Sequence, residues 1–207
     1  MARVLVAVPT FENIYPDTFK AIWDMDKGGN EVIFDFVRGY DCASARNNIA
    51  QLAKGYNADY VMMVDNDVTP PSDALVNLLS HDVDVCLGYY MHRNKGNDDT
   101  LKTCLCKQGE LNYTQQYTGE ELRELQDRGE YLVRIHGGGM GCALIKTSVF
   151  NRIMYPYYQW INYNDARHSV LSEDLYFCEQ CKNARIKIFA DSRVACGHMF
   201  RQIKTVD

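Results

Sequence analysis

The chain has 207 residues, of which 46% are hydrophobic, and its formal net charge at pH 7 is −5. This length and apolar content suit one α/β domain with a full hydrophobic core, and they exclude a disordered chain. The acidic balance disfavours a protein that coats nucleic acid, although a local basic patch escapes such a count. Met1-Ala2-Arg3 leads directly into an apolar strand rather than a signal peptide, and no apolar stretch approaches the roughly 20 residues of a membrane span. We therefore expect a cytoplasmic protein without a membrane span.

The eight cysteines are scattered along the chain, and most of them lie in apolar runs. Without a secretory signal, free buried thiols in a reducing cytosol are expected. Cys104, Cys106, Cys178 and Cys181 have the residue types of a four-thiolate zinc site. A Cys-x-x-Cys pair on an amphipathic helix is more often two core positions, and we favour that interpretation.

Strand and helix patterns alternate over the first 89 residues. Apolar runs predict strands at 3–8, 31–37, 60–64 and 83–89, with helices at 16–27, 44–55 and 72–80 between them. In the second half, strands are predicted at 131–135, 142–145 and 186–190, with helices at 147–153 and from 171 onward. This alternation implies right-handed crossovers and a central, mostly parallel sheet flanked by helices.

Residues 93–130 interrupt this alternation because they are polar and have mixed periodicity. The stretches 100–106 and 110–116 alternate like a hairpin that turns at Gln108-Gly109, and 118–128 has the pattern of a short helix started by Thr118. We interpret 93–130 as a small inserted subdomain within a single domain of residues 1–207. A role in acceptor choice and a plain surface elaboration are both open.

The buried strand at 60–64 ends abruptly in Asp65-Asn66-Asp67. Two carboxylates at this position are costly unless something compensates their charge. Residues i and i+2 of an extended chain point the same way, so Asp65 and Asp67 can converge on one ligand. Oxygen donors suit Mg²⁺ or Mn²⁺, and open parallel sheets bind ligands outside the carboxyl ends of their strands. The alternative is that both Asp residues only form and cap a loop.

Two further stretches have unusual compositions. Gly-Gly-Gly-Met-Gly at 137–141 lets backbone approach a ligand or adopt positive φ, and a bulge or sharp bend is the alternative. The stretch 154–163 is rich in aromatic residues, whose rings either stack on sugars and bases or pack under a long loop. These aromatic residues are Tyr155, Tyr157, Tyr158, Trp160 and Tyr163.

Six motifs in chain order resemble the GT-A-fold, family-2-like glycosyltransferases of the nucleotide-diphospho-sugar transferase superfamily. They are Val-Ala-Val-Pro-Thr-Phe at 6–11, Ala-Ser-Ala-Arg-Asn-Asn at 43–48, Asp-Tyr-Val-Met-Met-Val-Asp-Asn-Asp at 59–67, Gly-Gly-Gly-Met-Gly-Cys-Ala-Leu-Ile at 137–145, Ser-Glu-Asp-Leu-Tyr-Phe-Cys at 172–178 and Gly-His at 197–198. Each motif alone is weak, but the DxD-like triplet, the Arg-Asn pair and the Glu-Asp helix start are together fairly specific. The resemblance covers residues 3–92 and 132–198.

The resemblance implies a GT-A (Rossmann-like) fold and a metal-dependent glycosyltransferase. Such an enzyme moves a sugar from a UDP- or GDP-linked donor to an acceptor hydroxyl, here with inversion, and uses Mn²⁺ or Mg²⁺. Three alternatives are a retaining enzyme of the same fold, a nucleotidyltransferase and a non-catalytic nucleotide-sugar-binding domain. The loop Thr10-Phe11-Glu12-Asn13 lacks the Gly-rich, basic character usual in nucleotidyltransferases. The joint presence of Asp65, Asp67, Asp174 and His198 argues against a decayed domain.

The resemblance also implies roles for individual residues. The donor is expected to contact Pro9, Thr10, Phe11, Glu12, Asp41, Arg46, Asp65, Asn66, Gly138 and Gly139. The expected metal ligands are Asp65, Asp67 and His198, with Asp67 the most direct and Asp65 reaching the ribose or the metal through water. A surface salt bridge is the alternative role for Arg46. Val-Arg-Gly-Tyr-Asp-Cys at 37–42 replaces the family's common Asp-Asp-Gly-Ser run, so the contacts to the base are open.

The Glu173-Asp174 pair matches the motif that supplies the catalytic base in inverting members. Inversion needs a carboxylate that takes the proton of the acceptor hydroxyl. Motif alignment makes Asp174 the base and Glu173 a neighbour that binds the acceptor. The alternative is a helix whose first turn is capped by Ser172 and stabilised by two acids that complement the helix dipole.

Overall fold

A computed structural model of the chain describes residues 1–92, 101–107, 115–165 and 168–199, without the side chains of 163–165 and 168–170. Its strands in chain order are β1 (Arg3–Thr10), β2 (Glu31–Arg38), β3 (Tyr60–Val64), β4 (Val68–Thr69), β5 (Val85–Tyr89), β6 (Lys102–Cys106), β7 (Gln116–Thr118), β8 (Leu132–Ile135), β9 (Gly137–Gly138), β10 (Cys142–Lys146), β11 (Ile161–Asp165), β12 (His168–Leu171), β13 (Ile188–Ala195) and β14 (Gly197–His198). The helices are α1 (Pro16–Asp24), α2 (Cys42–Gly55), α3 (Ala74–Ser80), α4 (Gly119–Asp127) and α5 (Glu173–Asn183), and a 3₁₀ helix covers Thr147–Asn151. In these described ranges, no helix is long and apolar enough to cross a bilayer.

The central sheet has seven strands in the order β2-β1-β3-β10-β5-β13-β8. Strand β1 is parallel to β2 and β3, and β13 is parallel to β5, while β10 is antiparallel to both β3 and β5 and β8 is antiparallel to β13. Five strands therefore run in one direction, which confirms the predicted α/β class and the mostly parallel sheet. Because β10 runs the other way, its first residue, Cys142, lies opposite Val64 at the carboxyl end of β3.

The inner strands are apolar throughout because helices cover both faces of the sheet. Residues 4–8 of β1 and 61–64 of β3 are completely buried. Helix α2 contributes Ile49, Ala50 and Ala53 to the same core. These elements hold the carboxyl ends of β1 and β3 next to the first turn of α2, which is where the functional residues were predicted.

The described part of 93–130 contributes to the core. Strand β6 pairs with both β7 and β9, and Leu105 and Leu122 are completely buried. The predicted helix at 118–128 is α4, which begins with a capping box between Thr118 and Glu121. The predicted turn at Gln108-Gly109 lies outside the described residues. The proposed acceptor-side role of this segment stays a prediction.

Candidate active site

A buried arginine organises the carboxyl end of β3. Arg46, on the first turns of α2, is 1% exposed. Its Nη1 donates to Oε1 of Glu173 at 2.6 Å, and its Nη2 donates to Oδ1 and Oδ2 of Asp65 at 2.8 and 3.1 Å. The same Nη1 lies 3.2 Å from Oδ1 of Asp174. We call Arg46, Asp65, Glu173 and Asp174 the Arg46 cluster.

The Arg46 cluster holds three carboxylates against one guanidinium. Burial alone would lower the pKa of Arg46, but the charges of Asp174, Asp65 and Glu173 outweigh it and hold that pKa well above its ordinary value. Arg46 is therefore a permanent cation that compensates buried acids. Arg46 is buried and so does not form a surface salt bridge, and its predicted role in holding or shaping the donor site stays a prediction.

Asp174 is the acid of this cluster with a strongly shifted pKa. Burial raises the pKa of Asp174 to about 7; Arg46 opposes this shift, and the charges of Glu173 and Asp65 add to it. The backbone N–H of Met140 stabilises the ionised form. The Asp174 side chain is 18% exposed, and in the described residues its Oδ1 accepts no hydrogen bond despite its proximity to Arg46. A partly accessible carboxylate that titrates near neutral pH suits a general base.

Glu173 has a different environment from the one predicted. It is only 5% exposed, and its Oε1 accepts the short hydrogen bond from Arg46. The carboxylate is buried against the guanidinium, and its predicted contact with an acceptor stays a prediction. Ser172 caps α5 by accepting from the backbone N–H of Leu175, which fixes the direction of both acids.

The Asp65-Asn66-Asp67 triplet does not continue as an extended strand. The backbone N–H of Val68 donates to the carbonyl of Asp65 at 3.0 Å, so the chain makes a tight turn. The prediction that Asp65 and Asp67 converge on one ligand assumed an extended backbone, and the turn contradicts that assumption. Both oxygens of Asp65 accept hydrogen bonds from Arg46, so Asp65 compensates the charge of the guanidinium. Its predicted reach to the ribose, or to the metal through water, stays a prediction.

Asp67 lies beside His198 instead. Strand β14 pairs with β4, and this pairing places Nε2 of His198 3.7 Å from Oδ2 of Asp67. The other ring nitrogen, Nδ1, lies 2.9 Å from the carbonyl of Met91 and donates to it in the neutral tautomer. The lone pair of that tautomer is then on Nε2, as a metal ligand requires. We call these two side chains the Asp67–His198 pair.

The described residues contain no group of three or more His, Cys, Asp or Glu side chains arranged to hold a metal. Asp65 is hydrogen-bonded to Arg46, whereas Asp67 and His198 lie side by side, and the predicted metal role of these three residues stays a prediction. Two protein ligands still fit a cation that takes its remaining ligands from substrate phosphates and water. The chemistry of one carboxylate and one imidazole suits Mn²⁺ better than Mg²⁺.

One cavity, of about 360 Å³, lies away from the Asp65-Asn66-Asp67 triplet. A second cavity, of about 240 Å³, lies near the triplet. It is formed where β1 and β2 end and α2 begins, and we call it the β1–α2 cavity. Pro9, Thr10, Phe11, Gly39, Tyr40, Asp41, Cys42, Ala45 and Asn66 line it. Five predicted donor residues therefore meet there, whereas Glu12 and Arg46 are not among the lining residues.

Two aromatic side chains at the β1–α2 cavity are highly exposed. Phe11 is 68% exposed and Tyr40 is 98% exposed. Asp41 also lines the cavity, but its Oδ1 caps α2 by accepting from the backbone N–H of Ser44 at 2.7 Å. The side chain of Asn66 donates to the carbonyl of Asn13 and so fixes the loop after β1. Tyr40 was not among the residues predicted from the sequence, although its position beside Asp41 in the turn before α2 indicates that it lies near the donor residues.

The glycines at 138 and 139 are explained by packing. A Cβ at Gly138 would lie 3.0 Å from the carbonyl oxygen of Cys104, and one at Gly139 would lie 2.3 Å from Oη of Tyr90. Gly141 likewise leaves room for Tyr90 and for Oδ2 of Asp65. Tyr90, which the sequence analysis did not single out, thus lies between these glycines and the His198 ring, 4.9 Å away. Donor contacts of Gly138 and Gly139 stay predictions.

The aromatic stretch divides into packed and exposed residues. Tyr157 and Tyr158 are buried, and the side chain of Asn47 holds their backbone by accepting from both N–H groups and donating to the Tyr158 carbonyl. Tyr155 and Trp160 are exposed, and the side chain of Tyr163 lies outside the described part. The two residues of the Arg-Asn pair therefore contact different parts of the molecule. Arg46 binds the acids of the cluster, and Asn47 holds the backbone of the loop that contains Tyr157 and Tyr158.

The four cysteines considered for zinc are all buried. Burial raises the pKa of Cys106 to about 11 and the pKa values of Cys104 and Cys181 to about 12, and it holds that of Cys178 well above the ordinary value. These thiols favour the protonated form and contribute to the core as small apolar side chains.

Comparison with known proteins supports the fold. No protein-family model and no curated protein matches the chain. The crystal structure of A197 from STIV is similar with a TM-score of 0.65 and 16% identity, over 96% of this chain and 86% of that one. GalNAc-T7, crystallised with UDP, GalNAc and Mn²⁺, is similar with a TM-score of 0.62 and 13% identity, over 97% of this chain but only 44% of that one. At these identities the likeness is one of fold, and the fold is similar to that of GT-A glycosyltransferase structures.

Proposed function

We propose that the chain is a metal-dependent glycosyltransferase that moves a sugar from a nucleoside diphosphate sugar to an acceptor hydroxyl with inversion. One observation carries this proposal: three consecutive residues join three different features. Asp65 belongs to the Arg46 cluster, Asn66 lines the β1–α2 cavity, and Asp67 lies beside His198. The turn therefore adjoins the cluster that contains the proposed base, the proposed nucleotide pocket and the proposed metal position, which are the parts that such a transfer requires.

The β1–α2 cavity is the proposed nucleotide site. Exposed Phe11 and Tyr40 offer aromatic faces for a nucleobase, and the carbonyls and hydroxyls at the end of β1 offer polar contacts. The cavity lies at the carboxyl ends of parallel strands, where open α/β sheets bind ligands. The structurally similar GalNAc-T7 was crystallised with UDP, so UDP is the first nucleotide to test.

The Asp67–His198 pair is the proposed metal position. Its oxygen and imidazole nitrogen fit Mn²⁺, and the backbone carbonyl of Met91 orients the imidazole. A bound divalent cation there would act as a Lewis acid that neutralises charge on the diphosphate leaving group. Asp65 contributes indirectly because it holds Arg46 and so supports the turn that places Asp67.

Asp174 is the proposed base. The acceptor oxygen attacks the anomeric carbon while the bond from that carbon to the diphosphate oxygen breaks, and the hydroxyl proton passes to Asp174. A pKa of about 7 makes this carboxylate more basic than an ordinary aspartate while leaving much of it ionised at neutral pH. Arg46 and the N–H of Met140 favour the ionised form, and Glu173 holds Arg46 in place.

The test is calorimetric titration of UDP and GDP into the protein, with Mn²⁺ and with EDTA, followed by a screen for donor hydrolysis. The wild type is expected to bind one of the two nucleotides in the presence of Mn²⁺, and Asp67→Asn is expected to lose this metal-dependent binding. Release of nucleoside diphosphate from a sugar donor would then identify the sugar. Failure of every nucleoside diphosphate and nucleotide sugar to bind with any divalent metal would overturn the proposal.

A further inference from the structure

A cavity of about 360 Å³ lies beside the edge strand β8, at the end of the sheet that faces away from the candidate active site. Strand β8 ends at Ile135, opposite Ile188, where β13 begins, so this is the amino end of β13. Helix α5 links the two places, because Asp174 lies in its first turn and Lys182 in its last. At 1.5 Å per residue, Lys182 is roughly 12 Å farther along the helix axis than Asp174.

The walls of this cavity are basic and its floor is apolar. Ile135, Cys178, Ile186 and Ile188 are buried and form the floor. Arg134 and His136 line the wall contributed by β8, and Lys182, Arg185 and Lys187 line the wall contributed by α5 and the turn that follows it. Of the lining residues within the described ranges, none is acidic. We call this site the basic cavity.

The charge of the basic cavity contrasts with that of the whole chain. Four of its lining residues are permanent cations, whereas the chain has a net charge of −5. Lys182 has an acidic neighbour, Glu179, at 3.6 Å. Within the described part of the chain, Arg134, Arg185 and Lys187 form no ion pair, and all three are exposed. Uncompensated cations around one concave space attract an anion and focus its field.

Arg185 has an uncommon backbone conformation, which makes it a suitable residue to vary. It ends helix α5 with a φ of +58°, a left-handed conformation in which glycine, and next asparagine, are preferred. The other two non-glycine residues with positive φ in the described ranges are Asn57 and Asp82, whose types tolerate it well. Glycine is preferred over arginine at such a position, so Arg185→Gly removes the guanidinium without straining the backbone.

We propose that the basic cavity binds a small phosphorylated molecule that carries at least two negative charges. Cations on two facing walls match two anionic groups, such as the two phosphates of a diphosphate. The cavity volume exceeds that of a diphosphate alone, so an organic part of the ligand fits against the isoleucine floor. None of the lining residues on the rim is a large exposed apolar side chain, and this favours a soluble ligand over a membrane surface.

The experiment titrates inorganic pyrophosphate into the protein in EDTA, where metal-dependent nucleotide binding is absent. The test variant is Arg185→Gly, which removes the guanidinium and places the preferred residue at the positive φ, so folding is not at risk. The charge-matched control is Lys20→Gln on α1. Helix α1 packs against β2, the edge strand farthest from β8, through the contact between Phe19 and Phe34. Asp67→Asn separates this site from the proposed active site.

The wild type, Lys20→Gln and Asp67→Asn are expected to bind pyrophosphate alike, and Arg185→Gly is expected to bind at least tenfold more weakly. Arg134→Gln should weaken binding in the same direction, since it removes a cation from the other wall. Equal affinities of Arg185→Gly and wild type would overturn the proposal. An equal loss of pyrophosphate affinity in Arg185→Gly and Lys20→Gln would also overturn it, because it would indicate attraction to the overall charge. A loss of affinity confined to Asp67→Asn would overturn it as well.

Discussion

The two carboxylates of the Asp65-Asn66-Asp67 turn have opposite environments. Asp65 is held through both oxygens by a buried arginine, whereas Asp67 lies beside a histidine at the end of a short two-stranded pairing. The Arg46 cluster places three carboxylates around one guanidinium, and the Asp67–His198 pair places a carboxylate oxygen 3.7 Å from an imidazole nitrogen. One motif therefore contains an acid that supports the site, Asp65, and an acid that is the proposed metal ligand, Asp67.

The same contrast separates Glu173 from Asp174 at the start of α5. Glu173 is buried and accepts a 2.6 Å hydrogen bond from Arg46. Asp174 lies 3.2 Å from the guanidinium without a hydrogen bond to it, and burial raises its pKa to about 7. In each pair of acids, one accepts hydrogen bonds from Arg46, and the other is the proposed base or the proposed metal ligand. The predictions below test this division from the largest expected effect to the smallest.

Replacing the proposed base should have the largest effect on activity. Asp174→Asn removes a proton acceptor but keeps the shape of the side chain, so kcat is expected to fall by about 10²- to 10⁴-fold. The thermal midpoint should not fall, because a poorly compensated buried charge is removed. The measurement is single-turnover transfer together with thermal unfolding. A large loss of stability with unchanged kcat would contradict the assignment.

Replacing the central arginine should have the largest effect on stability. Arg46→Met leaves three buried carboxylates without their counter-charge, and the free energy of unfolding is expected to fall by about 3–5 kcal/mol. The matched control is Arg152→Met, whose arginine is 45% exposed and pairs with Asp84 at the surface. That variant should lose less than about 1 kcal/mol. Similar losses in urea unfolding of the two variants would show that the Arg46 cluster is not a special support.

The pH dependence of transfer should report the environment of Asp174. The base is active when ionised, so kcat/KM should rise with pH and level off above its raised pKa of about 7. Glu173→Gln removes a neighbouring negative charge that raises this pKa, and the rising limb should move to lower pH. An inflection near pH 4 in the wild type, or no movement in the variant, would contradict the coupling of the two acids.

The smallest effect is expected at the β1–α2 cavity, the proposed nucleotide site. Phe11→Ala and Tyr40→Ala each remove an exposed ring, and each should weaken nucleotide affinity by about 3- to 10-fold, as expected for one stacking contact of about 0.5–1.5 kcal/mol. Neither ring is in the buried core, so stability should be unchanged. Trp23→Ala, which removes an exposed ring on α1, is the control. Calorimetry on the three variants decides whether the rings at the cavity bind a base.

The sequence predicted the strands and helices well because periodic apolar runs define them. The strands at 3–8, 31–37 and 60–64 correspond to β1, β2 and β3, and Thr118 begins α4 as its capping residue predicts. It also identified the acids of the Arg46 cluster and the β1–α2 cavity residues Pro9, Thr10 and Phe11. The motifs identified these residues as candidates, but they did not predict the burial or the hydrogen-bond partners of each side chain.

The rest depended on long-range contacts that no local pattern contains. The turn at Val68 separates Asp65 from Asp67, and the pairing of β14 with β4 brings His198 to Asp67 across 131 positions of chain. Tyr90 is placed by glycines 49 and 51 residues later. Burial of Glu173 likewise follows from Arg46, on another helix.

The most direct test of this division is a titration of Mn²⁺, in the presence of UDP, into wild type, Asp65→Asn and Asp67→Asn. The account predicts that Asp67→Asn weakens Mn²⁺ binding by at least about 10- to 100-fold with an unchanged thermal midpoint. Asp65→Asn should keep Mn²⁺ affinity within about threefold of wild type, because its carboxylate is engaged by Arg46, but it should lower the thermal midpoint. Loss of Mn²⁺ binding in Asp65→Asn, with normal binding in Asp67→Asn, would contradict it.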